Sequence, residues 1–353
     1  MTFLKRLLHR PSARGAAEGV AAVAVAAAMA ACSGVIYEDL DPCTAGAELR
    51  FIYDYHMERG NAFMYNVDCL TVHFYDTSGR LVSTVTETGD CLADENWRME
   101  VDLPAGSYHA VAYGGMACDE ASFEYPAGTP SDGSALGALG AGLKAGLHDG
   151  TGRDAPLHDH FWGCADFTVS ASSMVRDQAT VEMRKNTNNI RIVLQHLDGS
   201  PVDPESFRFT LTADNTRMGA DNELIKTGET VYTPWATGTT DIGMLPDGSP
   251  LSNAYAQIST SRLVEEPGAN PRIRVTLAPD SRGDEGEAVL DVDLIYLVKL
   301  ARQQHEIKDM PLQEYLDRES RWSFIFLLDK NNQYYSLRIK VNDWVVRINN
   351  IES

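Results

Sequence analysis

Positive charge is what this chain has least of: 30 lysines and arginines stand against 50 aspartates and glutamates, a formal net charge of −20 over 353 residues. A surface of that sign repels phosphate backbones, so no nucleic acid partner is expected. The phosphate-cradling pattern G-x-x-x-x-G-K-[ST] is absent, as is any C-x-x-C pair, which removes the common nucleotide loop and the thiol-redox motif. No serine occupies a G-x-S-x-G elbow. Long apolar runs are missing too. The stretch from Val20 to Ala31 is alanine-rich and falls short of the roughly 20 residues that a bilayer-spanning helix needs. What the chain does have is an ordinary apolar fraction of 44%, at a length where one core usually gives way to two.

The first residues run from a basic start (Lys5, Arg6, Arg10, Arg14) through that apolar stretch to small residues and a cysteine, the order of an export signal. Met29-Ala30-Ala31-Cys32 has the form of a bacterial lipobox, in which small side chains admit the peptidase and the cysteine thiol takes a diacylglyceryl group. Met29 stands where leucine is commoner. Residues 1–31 are therefore expected to be a lipoprotein signal peptide, with Cys32 the lipidation site; a plain secreted precursor or a membrane helix are the alternatives. Two or three acyl chains hold a protein near-permanently where one holds only marginally. The acidic cluster Glu38-Asp39-Leu40-Asp41 is similar to surface-export signals of some Gram-negative lipoproteins.

Acylation of Cys32 would leave Cys43, Cys69, Cys91, Cys118 and Cys164, enough for two disulfides and one odd thiol. All five lie in the N-terminal half, so that half is expected to be stapled, and their spacing fits no thiolate metal site.

From Cys43 onward, short segments alternate with period two. Leu49, Phe51 and Tyr53 form one such set, Leu70, Val72 and Phe74 another, and Trp97, Met99, Val101 and Leu103 a third with charged residues between. These are strands with one wet face, and nothing between them reads as a crossover helix. The pattern lapses between about Pro126 and Asp159, a Gly/Ala-rich stretch expected to be an insertion loop with a small helix near Ala135–Lys144. It resumes at Phe161. In the second half Ile190, Ile192 and Leu194 share a face, and residues 207–212, 254–259, 272–277 and 289–300 read as further strands. Asp309 and Pro311 predict the start of a short helix with Leu312, Tyr315 and Leu316 on one side. A terminal hairpin is expected to set Phe324, Phe326 and Leu328 against Tyr335, Leu337 and Ile339 across the turn 329–332. The fold class is all-β, two β-sandwich domains in series, 32–172 and 173–353.

Candidate chemistry is sparse. His158 and His160 alternate and could share a metal with Asp149 or Asp154 if the segment were extended, with His148 nearby and Asp159 turned away; exposed loop residues are the plainer reading. The carboxylate pairs Asp291/Asp293 and Glu100/Asp102 suit a glycosidase only if each flanks a bond, and they read equally as a solvated sheet face. Calcium could be held by Asp76, by Asp90 or by Asp280, Asp284 and Glu285. Tyr53, Tyr55, Tyr65, Tyr75, Tyr108 and Tyr113 offer either a binding surface or core packing. No cofactor, no resident metal and no catalytic residue is expected.

Longer strings carry more. Ile36-Tyr37-Glu38-Asp39-Leu40-Asp41-Pro42-Cys43, LRFIYDY, NAFMYNVDCLTVHFYD, LPAGSYHAVAYGGM, KNTNNIRIVLQ, DMPLQEYLDRE and the closing NDWVVRIN resemble, in order and over residues 32–350, the FimB-like fimbrial anchor family of Bacteroidales. The Gly/Ala-rich insertion and Met29 depart from its pattern. The resemblance implies a type V pilus anchor lipoprotein of the cell outer membrane, not an enzyme, built as two transthyretin-like Greek-key sandwiches. It implies that the protein tethers the fimbrial shaft and limits its length, binding shaft or accessory subunits by strand complementation and the membrane through acylated Cys32. The C-terminal stretch Trp344, Val345, Val346 and Ile348 is the candidate subunit-contact strand. A surface adhesin or pilus tip protein shares the same signals and is the alternative; an exported enzyme is a more distant one.

Overall fold

The computed structural model describes residues 46–171, 175–244, 250–279, 286–303, 307–341 and 344–348, all within one compact unit that begins at Ala45. Cys32, Cys43 and the calcium candidates Asp280, Asp284 and Glu285 lie outside the described residues.

Nine strands come first: β1 (Gly46–Ile52), β2 (Cys69–Asp76), β3 (Leu81–Thr88), β4 (Met99–Asp102), β5 (Gly106–Gly114), β6 (Phe123–Glu124), β7 (Gly140–Leu143), β8 (Phe161–Val169) and β9 (Asp177–Lys185). Eleven follow: β10 (Asn188–His196), β11 (Phe207–Ala213), β12 (Arg217–Gly219), β13 (Thr230–Tyr232), β14 (Ala236–Met244), β15 (Pro250–Thr260), β16 (Arg272–Leu277), β17 (Ala288–Asp293), β18 (Arg321–Leu328), β19 (Tyr334–Val341) and β20 (Trp344–Ile348). Helices α1 (Phe63–Asn66), α2 (Leu294–Gln303) and α3 (Leu312–Arg318) are short.

Seven strands form one sheet in the order β3-β2-β5-β8-β9-β1-β4, antiparallel except where β1 runs beside β9. The period-two residues do what their spacing requires. Leu49, Phe51, Tyr53, Leu70, Val72, Phe74, Met99, Val101 and Leu103 all enter one core around which the sheet curls. β2 departs from the half-wet pattern, because Thr71, His73 and Tyr75 on its other face are buried as well. What covers them is the Gly/Ala-rich segment. It is not a loose loop with a helix: after one 3-10 turn, Leu136–Ala138, it becomes β7, which pairs with β6 and β12 in a three-stranded sheet. Leu139, Ala141, Phe123 and Met218 pack there on Tyr75, Val111, Tyr113 and Trp162. Glycine disfavours the helix and permits the close strand. A Cβ on Gly140 would lie 2.5 Å from the Met218 carbonyl oxygen.

In the second half the sheets β14-β15-β10-β18-β19-β20 and β13-β11-β16-β17 contribute to a single core, with Ile190, Ile192, Phe324 and Phe326 from one and Phe209, Leu211, Ile273 and Val275 from the other. Residues 289–300 do not continue as a strand. The chain leaves β17 at Asp293, whose Oδ1 accepts the Tyr296 N–H at 2.9 Å, an N-cap bond that starts α2. Leu294, Leu297, Val298 and Ala301 are then buried at helical spacing. α3 forms with Leu312, Tyr315 and Leu316 inward, as their spacing predicts, although Pro311 rather than Asp309 is its cap. The terminal hairpin sets Phe324 opposite Ile339 and Phe326 opposite Leu337. A bulge between Leu327 and Leu328 brings Leu328 opposite Tyr334, so Tyr335 turns outward, 62% exposed.

Candidate functional site

The histidine-rich segment does not converge on a metal. His160 is completely buried, its ring 4.6 Å from that of Phe123 and its Nδ1 3.2 Å from the Asn186 amide nitrogen. His158 sets Nε2 3.3 Å from the Asp68 carboxylate. Asp159 accepts from Lys185 Nζ at 2.6 Å and Thr187 Oγ1 at 2.8 Å, and His148 offers its backbone carbonyl to the Thr233 N–H. Asp149 accepts from the Thr233 hydroxyl; that bond and those from Thr151 hold its pKa near 2. The converging group among the described residues is Asp68, Cys69 and Cys118, whose two sulfurs are joined as a disulfide. Among the described residues Cys91 and Cys164 are free thiols.

The paired carboxylates have structural employment. Glu100 and Asp102 both clamp Arg176, at 3.4 and 2.8 Å. Asp291 pairs with Arg272, and Asp293 caps α2 while accepting from Asn270. Asp76 Oδ1 closes its own turn by accepting from Ser78 and Arg80; Asp90 opens a 3-10 turn, Asp90–Ala93. The tyrosines divide. Tyr53, Tyr75, Tyr108 and Tyr113 are buried and Tyr65 is 76% exposed. Tyr55 lies between two guanidiniums, Arg184 at 4.5 Å and Arg318 at 4.0 Å from its ring centre.

Two buried histidines make the fold acid-sensitive. His73 bonds Thr84 and Tyr125 through its two ring nitrogens, and burial lowers its pKa to about 4; burial alone lowers that of His160 to about 3. Both must stay neutral in the fold, whereas the unfolded chain protonates them near 6.5. Their contribution is complete above that value and is lost as pH falls from 6.5 toward 4, a slope approaching about 2.7 kcal/mol per pH unit with both engaged. Urea midpoints measured from pH 7.5 to 4.5 should fall accordingly, and a His73→Gln, His160→Gln double variant should flatten the curve.

The polar string Lys185-Asn186-Thr187-Asn188, between β9 and β10, is where the halves are fastened. Asn186 and Asn222 exchange amide bonds at 2.7 and 3.0 Å. Asn188 accepts from the Trp322 indole and donates to the Ser261 carbonyl. Arg262 donates to the Asn222 carbonyl and forms a two-pronged pair with Asp317, both contacts 2.9 Å. Every one of these side chains is buried. In the sequence they give no periodic signal; a polar quartet between two strongly apolar strands is the mark that could have found them.

Two further features face outward. Among the described residues the sheets end on β3, whose first residue Leu81 bonds Gly133 and Ser134, and β4 in the first, and on β14 and β20 in the six-stranded sheet. β20 joins β19 antiparallel, Trp344 opposite Val341 and Ile348 opposite Leu337. Beside the disulfide lies an open groove of about 930 Å³, with Tyr65, Lys144, Arg153 and His158 on its walls.

A family model described as the fimbrillin-A associated anchor proteins Mfa1 and Mfa2 matches residues 40–350. Among solved structures, a candidate adhesin of Bacteroides thetaiotaomicron is 42% identical, with a TM-score of 0.78 over 88% of this chain and all of that one. A second protein from the same organism, described as a candidate polysaccharide-binding protein, is 27% identical, with a TM-score of 0.71 over 86% of this chain and 98% of that one. The fimbrial anchor protein Mfa2 of Porphyromonas gingivalis shares the fold at 17% identity, with a TM-score of 0.61 over 86% of this chain and 98% of that one. No curated protein matches the sequence.

Proposed function

Since the chain belongs to the Mfa2 family of fimbrillin-A associated anchor proteins, we propose that it fixes a fimbrium to the cell. Acyl chains on Cys32 hold it in the outer membrane, and its two β-rich halves, which meet just after β9, take up a fimbrial shaft or accessory subunit. The observation that carries this reading is a family match spanning almost the whole β-rich part of the chain. The physics of the fold suits the task. An outer strand carries a row of unpaired N–H and C=O groups that an incoming strand can satisfy, while alternate side chains of that strand enter pockets. β20, with Trp344, Val345, Val346 and Ile348, is the edge we assign to that contact. A subunit seated there is followed by no other, which limits fibre length, and the task needs slow release rather than turnover.

Deleting the protein in its host should leave fimbriae that form but are shed into the medium or grow long. Cys32→Ser should take up no labelled palmitate and leave the outer-membrane fraction. Firmly attached fimbriae of normal length in the deletion strain would overturn the anchor reading. An adhesin is the second reading, favoured by the description of the 42% identical relative. It predicts lost host or partner binding with attachment and length unchanged.

A further inference from the structure

We infer that the groove beside the disulfide binds an oligosaccharide carrying an isolated carboxylate, a uronate or sialate unit. This goes beyond the anchor role and stands without it.

The walls are built rather than incidental. The Cys69–Cys118 bridge ties the loop bearing Asp119 and Glu120 to the start of β2. Ser122 then joins the other side twice, its Oγ accepting the His158 N–H at 2.8 Å and its carbonyl accepting the Lys144 N–H at 3.0 Å. Gly115, at φ +83°, lets the Asp159 backbone pass so closely that a Cβ there would lie 1.9 Å from the Asp159 carbonyl oxygen. At about 930 Å³ the space is in the upper range of small-ligand sites.

Its chemistry is selective. Arg153 lines the groove with Nε and Nη2 shielded from solvent and without any hydrogen-bond acceptor. Asp149 attracts it only at longer range, and burial pushes its pKa down. A half-buried guanidinium with no carboxylate partner, in a chain of net charge −20, attracts a carboxylate placed in the groove. Lys144 stands on the same wall without an ion pair among the described residues. At the rim, Tyr65 holds its ring 76% exposed on α1, whose turn is closed by the Val67 N–H to the Phe63 carbonyl. An exposed ring of that kind offers its face to the apolar C–H side of a sugar. Asp119, Glu120 and Asp154 supply acceptors for hydroxyl groups. The same three carboxylates repel a densely acidic peptide, which decides between the two ligand classes.

The test uses the full chain and two probes, 3′-sialyllactose and a glucuronate-bearing trisaccharide, each compared with its methyl ester by titration calorimetry. The acids should bind roughly ten- to a hundredfold more tightly than the esters. Arg153→Gln should erase that preference. Tyr65→Ala, at an exposed position, should weaken acid and ester alike by about tenfold. Thermal melts establish that both variants fold, and Lys144→Gln provides a second charge variant should Arg153→Gln melt early. Binding of neither acid at millimolar concentration, or a preference that survives in both charge variants, overturns the inference. Tighter binding of a tetraglutamate peptide with the same variant sensitivity would also overturn it and make the groove a peptide site.

Discussion

Asp317→Ala should lower the unfolding free energy by about 3–5 kcal/mol, the cost of leaving its partner charged and unmatched in the interior. Arg262 and Asp317 are only 7% and 5% exposed in their side chains. Burial opposes the charged guanidinium, but its bonds to Asp317 outweigh that and raise its pKa above the ordinary arginine value. Removing the carboxylate strands the guanidinium and also deprives the Gln313 amide of an acceptor at 2.9 Å. Arg262→Met with Asp317→Leu removes both charges and should recover most of the loss, because apolar packing replaces a pair whose desolvation was itself expensive. Urea titration followed by circular dichroism distinguishes these outcomes. A double variant as unstable as the single one would show that shape, not charge, governs this position.

Reduction of Cys69–Cys118, or the Cys69→Ser, Cys118→Ser variant, should cost about 4 kcal/mol on the loop-entropy argument. The bridged residues are 49 apart in sequence, and the loop they close contains β2, β3, β4 and β5. The loss should therefore appear first in the N-terminal half. Hydrogen exchange monitored by mass spectrometry with and without reductant would locate it. Uniform loss of protection across β10 to β19 as well would mean that the two halves unfold as one unit. Cys91→Ser and Cys164→Ser, which break no bridge among the described residues, serve as controls.

Much of the fold was legible because it rests on alternation. Leu49, Phe51, Leu70, Val72, Met99 and Val101 point inward as period two requires, and the last hairpin turns where Asp329 to Asn332 places it. The misses have separate causes. Residues 289–300 carry an apolar pattern that a strand or a helix can satisfy equally, and a single carboxylate cap at Asp293 decides between them. The Gly/Ala-rich segment looks empty of structure because its contribution is to have no side chains where β12 must pass. The outward pairing of Tyr335 follows from a one-residue bulge that alternation cannot foretell.

The functional features divide in the same way. The histidines and paired acids that stand out in the sequence are packing, caps and clamps in the fold. The residues that matter for fastening, Asn186, Asn188, Asn222, Arg262 and Asp317, lie far apart along the chain and meet only after folding. Arg153 was invisible for a different reason. An arginine's lack of a partner is a property of its surroundings, which no local string encodes.

The parallel alignment of β1 with β9, Ala47 beside Asp177 through Ile52 beside Glu182, has a mechanical consequence. Tension entering at the leading end of β1 and leaving through the trailing end of β9 would draw the two strands lengthwise past each other. Their hydrogen bonds are then strained together in shear instead of parting one by one like a zipper. Such a joint resists pulling far more than its equilibrium stability suggests, because rupture under force follows the unfolding rate.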